Sequence, residues 1–216
     1  MSFVDKRLED YVRNIQPLCK GELGKFQKEA YEEGLPIIPN DVVRLIGVLL
    51  GIMQPKRILE IGMAVGFSSI FMSDFLQKGG SITTIDRYPY MIERAKENFK
   101  RFGKEEQINL IVGDAVEVIK DLQPDNSFDV VFMDAAKGQY INILPDVIRL
   151  TRKGGLIIAD DILQEGRVAM DRLEVPRRQR TMHTRLNEFL TEISTNEELY
   201  SSILTIGDGV ALIRKL

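Results

Sequence analysis

Three aspartates stand at the ends of two apolar runs. Asp134 closes DVVFMD (129–134), and Asp160 with Asp161 closes GLIIADD (155–161). Each run reads as a buried strand, and packing gives no reason for carboxylates at its end. If the two strands are neighbours in one parallel sheet, their axes lie ~4.8 Å apart. All three carboxylates are then within reach of one hard divalent cation, which prefers oxygen ligands. Any one of them alone is as readily a helix cap; the trio together favours a site.

A second constellation follows the run RILEI (57–61). It reads Glu60-Ile61-Gly62-Met63-Ala64-Val65-Gly66-Phe67-Ser68-Ser69. Glycines let a backbone turn sharply and approach a ligand, and the free N–H groups where a helix opens favour an anion. Asp86 ends the next run, where an acid can bind two ribose hydroxyls. The loop is neither G-x-G-x-x-G, because Ala64 stands at the middle position, nor a P-loop, because no Gly-Lys-Ser/Thr follows. A glutamate before the first glycine would repel a pyrophosphate and suits an ammonium group. S-adenosylmethionine carries an ammonium, a carboxylate, a sulfonium and an adenosine. The expectation is that Glu60 faces the ammonium, directly or through water, Ser68 and the helix start take the carboxylate, and Asp86 takes the ribose. Gly113-Asp114-Ala115, after the third run, borders the adenine. A nicotinamide oxidoreductase on a similar sheet is disfavoured by Glu60 and the altered glycine spacing.

The elements that must position these groups alternate. Arg57–Ile61, 81–85, Ile108–Val112, Phe128–Met133 and 156–159 read as strands. Helices are expected over 66–77, from Pro89 to near Gly103, from Ala115, and over 138–150 with a break at Pro145. Five strands joined by helices make a parallel sheet covered on both faces. After a helix bearing Leu186, Phe189, Leu190 and Ile193, the runs 199–206 and Val210–Lys215 flank Gly207-Asp208-Gly209 and read as an antiparallel hairpin. The first 53 residues read as helical. Val4, Leu8, Tyr11, Val12 and Ile15 follow one period, and Leu23, Phe26 and Ala30 follow another. Asn40 is expected to cap a helix over 41–53. The fold class is therefore α/β, doubly wound and Rossmann-like, mostly parallel with a C-terminal antiparallel hairpin, plus N-terminal helices. One domain over 1–216 is expected, with a helical part (1–53) and an α/β core (54–216).

Composition narrows the class. A chain of 216 residues with 44% hydrophobic and 28% charged content is ordinary for a water-soluble domain. No stretch approaches the ~20 apolar residues of a membrane span, and the first residues lack a signal-peptide core. The single cysteine, Cys19, fits a reducing cytoplasm. With one cysteine and one histidine, His183, a Cys/His zinc site is not expected; both read as packing or surface residues. The net charge of −3 excludes a globally basic nucleic-acid coat but not a local basic patch.

The strings LEIGMAVGFSS (59–69), TTIDRYP (83–89), VGDA (112–115), FDVVFMDAAKGQY (128–140), LIIADD (156–161) and IGDGVALIRK (206–215) resemble those of class I methyltransferases. They are closest to the cation-dependent O-methyltransferases related to catechol and caffeoyl-CoA O-methyltransferases. The resemblance implies that Asp134 is both metal ligand and cofactor neighbour, that Lys137 is the general base, and that Mg²⁺ or Mn²⁺ is held by Asp134, Asp160 and Asp161. It also implies that Ile38 joins Glu60, Gly62, Gly66, Ser68, Asp86, Gly113, Asp114, Ala115 and Asp134 around the cofactor, and that the chain forms a homodimer. Many relatives end strand five in Asp-Asn; here Asp160-Asp161 adds a negative charge. Within the family the chain most resembles bacterial enzymes that methylate 5-hydroxyuridine at the tRNA wobble position. The alternative acceptor is a small catechol or caffeoyl-type phenol. Methyl transfer from a sulfonium is an in-line displacement needing a deprotonated oxygen, which a cation helps to supply. Lys137 is placed to take the proton if its pKa is depressed. Arg167, Arg172, Arg177, Arg178, Arg180 and Arg185 follow the metal-bearing strand, and guanidinium suits phosphate. They are the expected tRNA contacts. Tyr140 either packs on the sheet or touches substrate.

Overall fold

The computed structural model describes residues 6–216. Val4, the first position of the predicted N-terminal period, lies outside the described residues. The helical part comprises α1 (Lys6–Ile15), α2 (Gly21–Glu32) and α3 (Asn40–Met53). Next come β1 (Arg57–Ile61), α4 (Phe67–Ser73), β2 (Ser81–Asp86), α5 (Pro89–Arg101), β3 (Ile108–Val112), α6 (Ala115–Asp121) and β4 (Phe128–Met133). A 3-10 turn (Lys137–Gln139) leads into α7 (Tyr140–Leu150) and β5 (Thr151–Ala159), and α8 (Arg180–Thr195), β6 (Leu199–Leu204) and β7 (Val210–Lys215) close the chain. The sheet order is β3-β2-β1-β4-β5-β7-β6, parallel from β3 to β5, with β7 antiparallel to both of its neighbours.

The period-two pattern of the central strands divides the core. Ile58, Val130, Phe132 and Ile158 face α2, α3, α4 and α5. Leu59, Ile61, Val131, Met133 and Ile157 face α6, α7 and α8. Successive strand residues point to opposite faces, and both faces are covered, so apolar residues serve both sides of the central strands.

Four expectations are corrected. Helix α4 stops at Ser73, because Phe75 and Leu76 bond three residues back, to Met72 and Ser73, in a tightened turn. Strand β5 begins at Thr151, five residues early. Gly154 and Gly155 break the apolar pattern there, and the β4–β5 register shifts between Phe128 and Val130. Pro145 sits inside a continuous α7 on its exposed side, where no packed neighbour opposes its ring and water can replace the bond its missing N–H forgoes. Asn40 is the first residue of α3 rather than its side-chain cap. Its Nδ2 donates to the Gln16 carbonyl at 2.9 Å and its Oδ1 accepts from Gln27 at 3.1 Å, tying α2 and α3 to the end of α1.

Candidate active site

The sheet order reverses between β1 and β4, and ligands of doubly wound folds bind in the crevice beyond the strand ends at such a point. Here the ladder continues past each strand end. Gly62 N–H donates to Ile85 O, Asp134 N–H to Ile61 O, Asp160 N–H to Met133 O and Gly113 N–H to Asp86 O, each at 2.9 Å. The loops therefore leave the sheet from fixed points. A cavity of about 640 Å³ opens between them, lined by Gly62, Asp86, Gly113, Asp114, Ala115 and Asp134, with Lys137 at its edge. That size suits a small-molecule ligand. Gly62 has φ +89°, and a Cβ there would collide with the Asp134 carbonyl oxygen, so only glycine lets these two loops meet.

The other four residues expected around the cofactor do not line the cavity. Ile38 is packed in the core, and Pro36 is the lining residue from that stretch. Gly66 precedes α4 in a left-handed conformation. Ser68 and Glu60 bond each other beneath the glycine loop. Glu60 is fully buried and accepts from Ser68 (2.5 Å), Thr84 (2.6 Å) and Ser69. Ser69 and Thr84 were not anticipated, although the parallel register pairs Glu60 with Thr84. Its carboxylate thus braces the loop from below.

Burial raises the Glu60 pKa to about 7, against the three hydroxyls, which lower it. A folded-state pKa above the unfolded value means stability that is full below about pH 4.5 and is lost as pH climbs through about 7. The difference is worth up to about 3 kcal/mol. Glu60→Gln should remove that slope. Denaturant unfolding of both chains between pH 4.5 and 8 checks this: the wild type should lose stability relative to the variant, and parallel curves would contradict it.

Asp86 spends its carboxylate on four main-chain donors. Met63 and Ala64 N–H bond Oδ2 at 3.1 Å each, and Arg87 and Tyr88 N–H bond Oδ1 at 2.6 and 2.9 Å. It fixes the glycine loop to the end of β2, and a ribose hydroxyl would have to take over from one of these donors. Asp114 caps α6 through the Val116 N–H at 2.9 Å and pairs with Arg87. Tyr88, Tyr90 and Met91 also line the cavity, and both tyrosines are exposed. Nothing in the sequence marked them apart from their place just past Asp86.

The aspartates converge in part. Lys137 Nζ stands between Asp134 Oδ1 (3.2 Å) and Asp161 Oδ2 (2.9 Å). Asp160 is buried, and its Oδ1 accepts the Asp161 N–H at 2.8 Å. Burial, then the charges of Asp134 and Asp161, raise the Asp160 pKa to about 8. Burial likewise raises that of Asp134 despite Lys137. Burial pushes Lys137 down, but the two carboxylates outweigh it and its pKa is raised. With both carboxylates in contact the side chain is an ammonium engaged by two anions, and the depressed pKa on which a base role is conditional requires that they be drawn away. Among the described residues no three Asp, Glu, His or Cys side chains are close enough, as they stand, to hold one ion. The donors nonetheless fit a hard cation in kind, and a cationic group already occupies the place between two of them.

Tyr140 packs rather than lines the cavity. Fully buried, its hydroxyl lies 3.0 Å from Met133 O and 3.2 Å from Asp160 O, and accepts from the Ala135 N–H at 3.3 Å. It therefore joins the ends of β4 and β5. Asp208, from the hairpin turn, accepts the Glu165 N–H at 2.6 Å; burial, and more weakly the charge of Asp161, raise its pKa. His183 is buried on α8 with Nε2 at 3.2 Å from Met170 O.

The six arginines divide. Arg167 pairs with Glu165, Arg172 with Thr184, Arg180 with the carbonyls of Val175 and Leu173, and Arg185 with that of Gly138. Arg177 and Arg178 are exposed on a 3-10 turn, and no side-chain partner is found for either among the described residues.

Strand order, hairpin and crevice together define a Rossmann-like methyltransferase sheet. The O-methyltransferase family model matches residues 15–216, and the chain belongs to that family. It is similar to the caffeoyl-CoA O-methyltransferase of Populus kitakamiensis, with 32% identity over 185 residues, 83% of this chain and 78% of that one. Among solved structures it is similar to a Staphylococcus aureus protein assigned to the caffeoyl-CoA O-methyltransferases, with 27% identity, a TM-score of 0.87, and 97% and 100% of the two chains covered. It shares its fold with an O-methyltransferase from Bacillus cereus in complex with SAH, with 21% identity, a TM-score of 0.83 and 97% of each chain covered. Among the described residues no helix is long and apolar enough to cross a membrane.

Proposed function

We propose that this chain transfers the methyl group of S-adenosylmethionine to a hydroxyl with a second oxygen beside it, on a phenol of the catechol or caffeoyl type. The observation that carries this is the Asp134–Lys137–Asp161 cluster at the edge of the switch-point cavity. The relatives named above support the acceptor class, and the Bacillus cereus complex holds SAH, the demethylated form of the donor. Asp134, Asp160 and Asp161 would hold Mg²⁺ or Mn²⁺. A bound divalent ion lowers the pKa of a hydroxyl it contacts and orients it. The chain's own residues do the rest. Gly62 and the Gly113–Ala115 loop shape the cavity around the nucleoside, and the brace at Glu60 and the tie at Asp86 keep the loop closed. Lys137, once released from Asp134 and Asp161, gives up a proton to solvent and, as the neutral amine, accepts the hydroxyl proton. The oxygen attacks the sulfonium's methyl carbon in line; the C–O bond forms as the C–S bond breaks, leaving a methyl ether and a thioether. Transfer should cease in excess chelator and return with Mg²⁺; full activity in chelator would contradict the reading.

A second reading keeps the chemistry and changes the acceptor to 5-hydroxyuridine in tRNA, whose O5 and O4 also form a vicinal pair. Its support is the exposed, unpartnered pair Arg177 and Arg178. They lie on a segment joined to the Lys137–Gln139 turn through α8, where Gly138 meets Met182 and Arg185. Reversing both charges should weaken tRNA binding about tenfold and reduce its salt dependence by about two charges. Filter binding at several salt concentrations checks this, and unchanged affinity would remove the segment from the reading. We further take 1–216 as one domain that acts as a homodimer in the cytoplasm. Core packing of Phe26, Ala30 and Val42 with the sheet supports the first, and the exposed Leu8, Tyr11 and Ile15 of α1 support the second.

A further inference from the structure

The segment that carries Asp161 has an unusual backbone. Asp161, Gln164 and Glu165 have φ of 55°, 51° and 54°, and Gly166 follows at 79°. Left-handed conformations are disfavoured for residues with a side chain and persist where the surroundings over-determine them. Of the six described non-glycine residues with positive φ, three fall in this one stretch. The surroundings that impose it are the hairpin turn at the far end of the chain. Ile162 N–H donates to Gly209 O at 3.1 Å, Leu163 N–H to Asp208 O at 2.8 Å, and Glu165 N–H to Asp208 Oδ1 at 2.6 Å. Leu163 fills the space where a Cβ on Gly209 would stand, and Gly209 has φ +90°. The turn is itself seated, because a Cβ on Gly207 would strike Val42 of α3. A continuous set of contacts thus runs from α3 through the turn to the loop, and ends where Asp161 Oδ2 meets Lys137 Nζ at 2.9 Å.

We propose that Asp208 is a positioning residue: its carboxylate and main-chain carbonyl hold the 161–166 loop in its left-handed arc, and so keep the Asp161 carboxylate facing Asp134 and Lys137. This rests on the cation reading of the site given above. Asp208 does not touch the cation place itself; it acts through the Glu165 and Leu163 N–H groups. Substitutions that free a ligand's supporting hydrogen bond characteristically cost about 10- to 100-fold in metal affinity.

The test is calorimetric titration of Mn²⁺ into the full chain with SAH present, on the wild type, Asp208→Ala and Asp208→Asn. Alanine removes the acceptor, whereas asparagine keeps an amide oxygen for the Glu165 N–H and discards the charge. The expected result is Mn²⁺ affinity weaker by about tenfold or more in D208A and within about threefold of wild type in D208N, with SAH affinity unchanged in both. If the alanine chain fails to fold, Asp208→Leu, which keeps the side chain's bulk and has no acceptor, takes its place with the same expectation. Wild-type Mn²⁺ affinity in D208A overturns the proposal and leaves the cation reading standing. Equal losses in D208A and D208N overturn it by assigning the effect to charge, and a parallel loss of SAH binding overturns it by showing a general disturbance. Absence of Mn²⁺ binding to the wild type overturns both readings.

Discussion

Asp134→Ala is expected to lower methyl transfer about 10³-fold, the scale of the several kcal/mol that a correctly held cation contributes, without unfolding the chain. The two halves of that expectation have separate grounds. The loss follows from position: Asp134 lines the cavity and bonds Lys137. The tolerance follows from burial. The pKa of its carboxyl is raised by burial, so its removal relieves an unfavourable desolvation, and Lys137 keeps Asp161 at 2.9 Å. The main chain at 134 stays fixed by its bond to Ile61 O. Stability should change by less than about 1 kcal/mol. Labelled-methyl transfer and thermal unfolding measured on the same preparation check both halves. A folded variant with full activity would remove Asp134 from the mechanism.

Lys137→Met is expected to cost about 10²- to 10⁴-fold in kcat, the usual range for a lost general base, with cofactor affinity nearly unchanged. Lys137→Arg separates the two roles open to this side chain. A guanidinium keeps positive charge between Asp134 and Asp161 but does not release a proton at any working pH. The arginine chain should therefore be as inactive as the methionine chain. Activity restored by arginine would make Lys137 an electrostatic partner and not a base.

Much of the fold was legible because it rests on local pattern. The apolar runs of the central strands, the turn residues at Gly207-Asp208-Gly209, and Pro89 at a helix start place most elements without tertiary information. What escaped depended on contacts between distant segments. Asn40 looked like a cap, yet Gln16 and Gln27 from elsewhere claim its amide. Pro145 looked like a break, yet it sits on the exposed side of a helix anchored by Ile143, Leu144 and Val147. The site divides the same way. Asp134, Asp160 and Asp161 were visible as carboxylates ending apolar strands. Their ionic state was not, because the raised pKa of Lys137 depends on two anions brought together only by the β4–β5 pairing. Glu60 was visible as an acid at a strand end before a glycine loop, but its burial and its capture by Ser68, Ser69 and Thr84 need the β1–β2 register.

The most direct test of the cation-dependent transfer is labelled methyl incorporation from S-adenosylmethionine into a catechol and caffeoyl phenol panel beside hypomodified tRNA, each run with chelator and with added Mg²⁺. The expected result is incorporation into one acceptor class, extinguished by chelator and restored by Mg²⁺. Incorporation that persists undiminished in chelator, or none into any vicinal-oxygen acceptor, would contradict it.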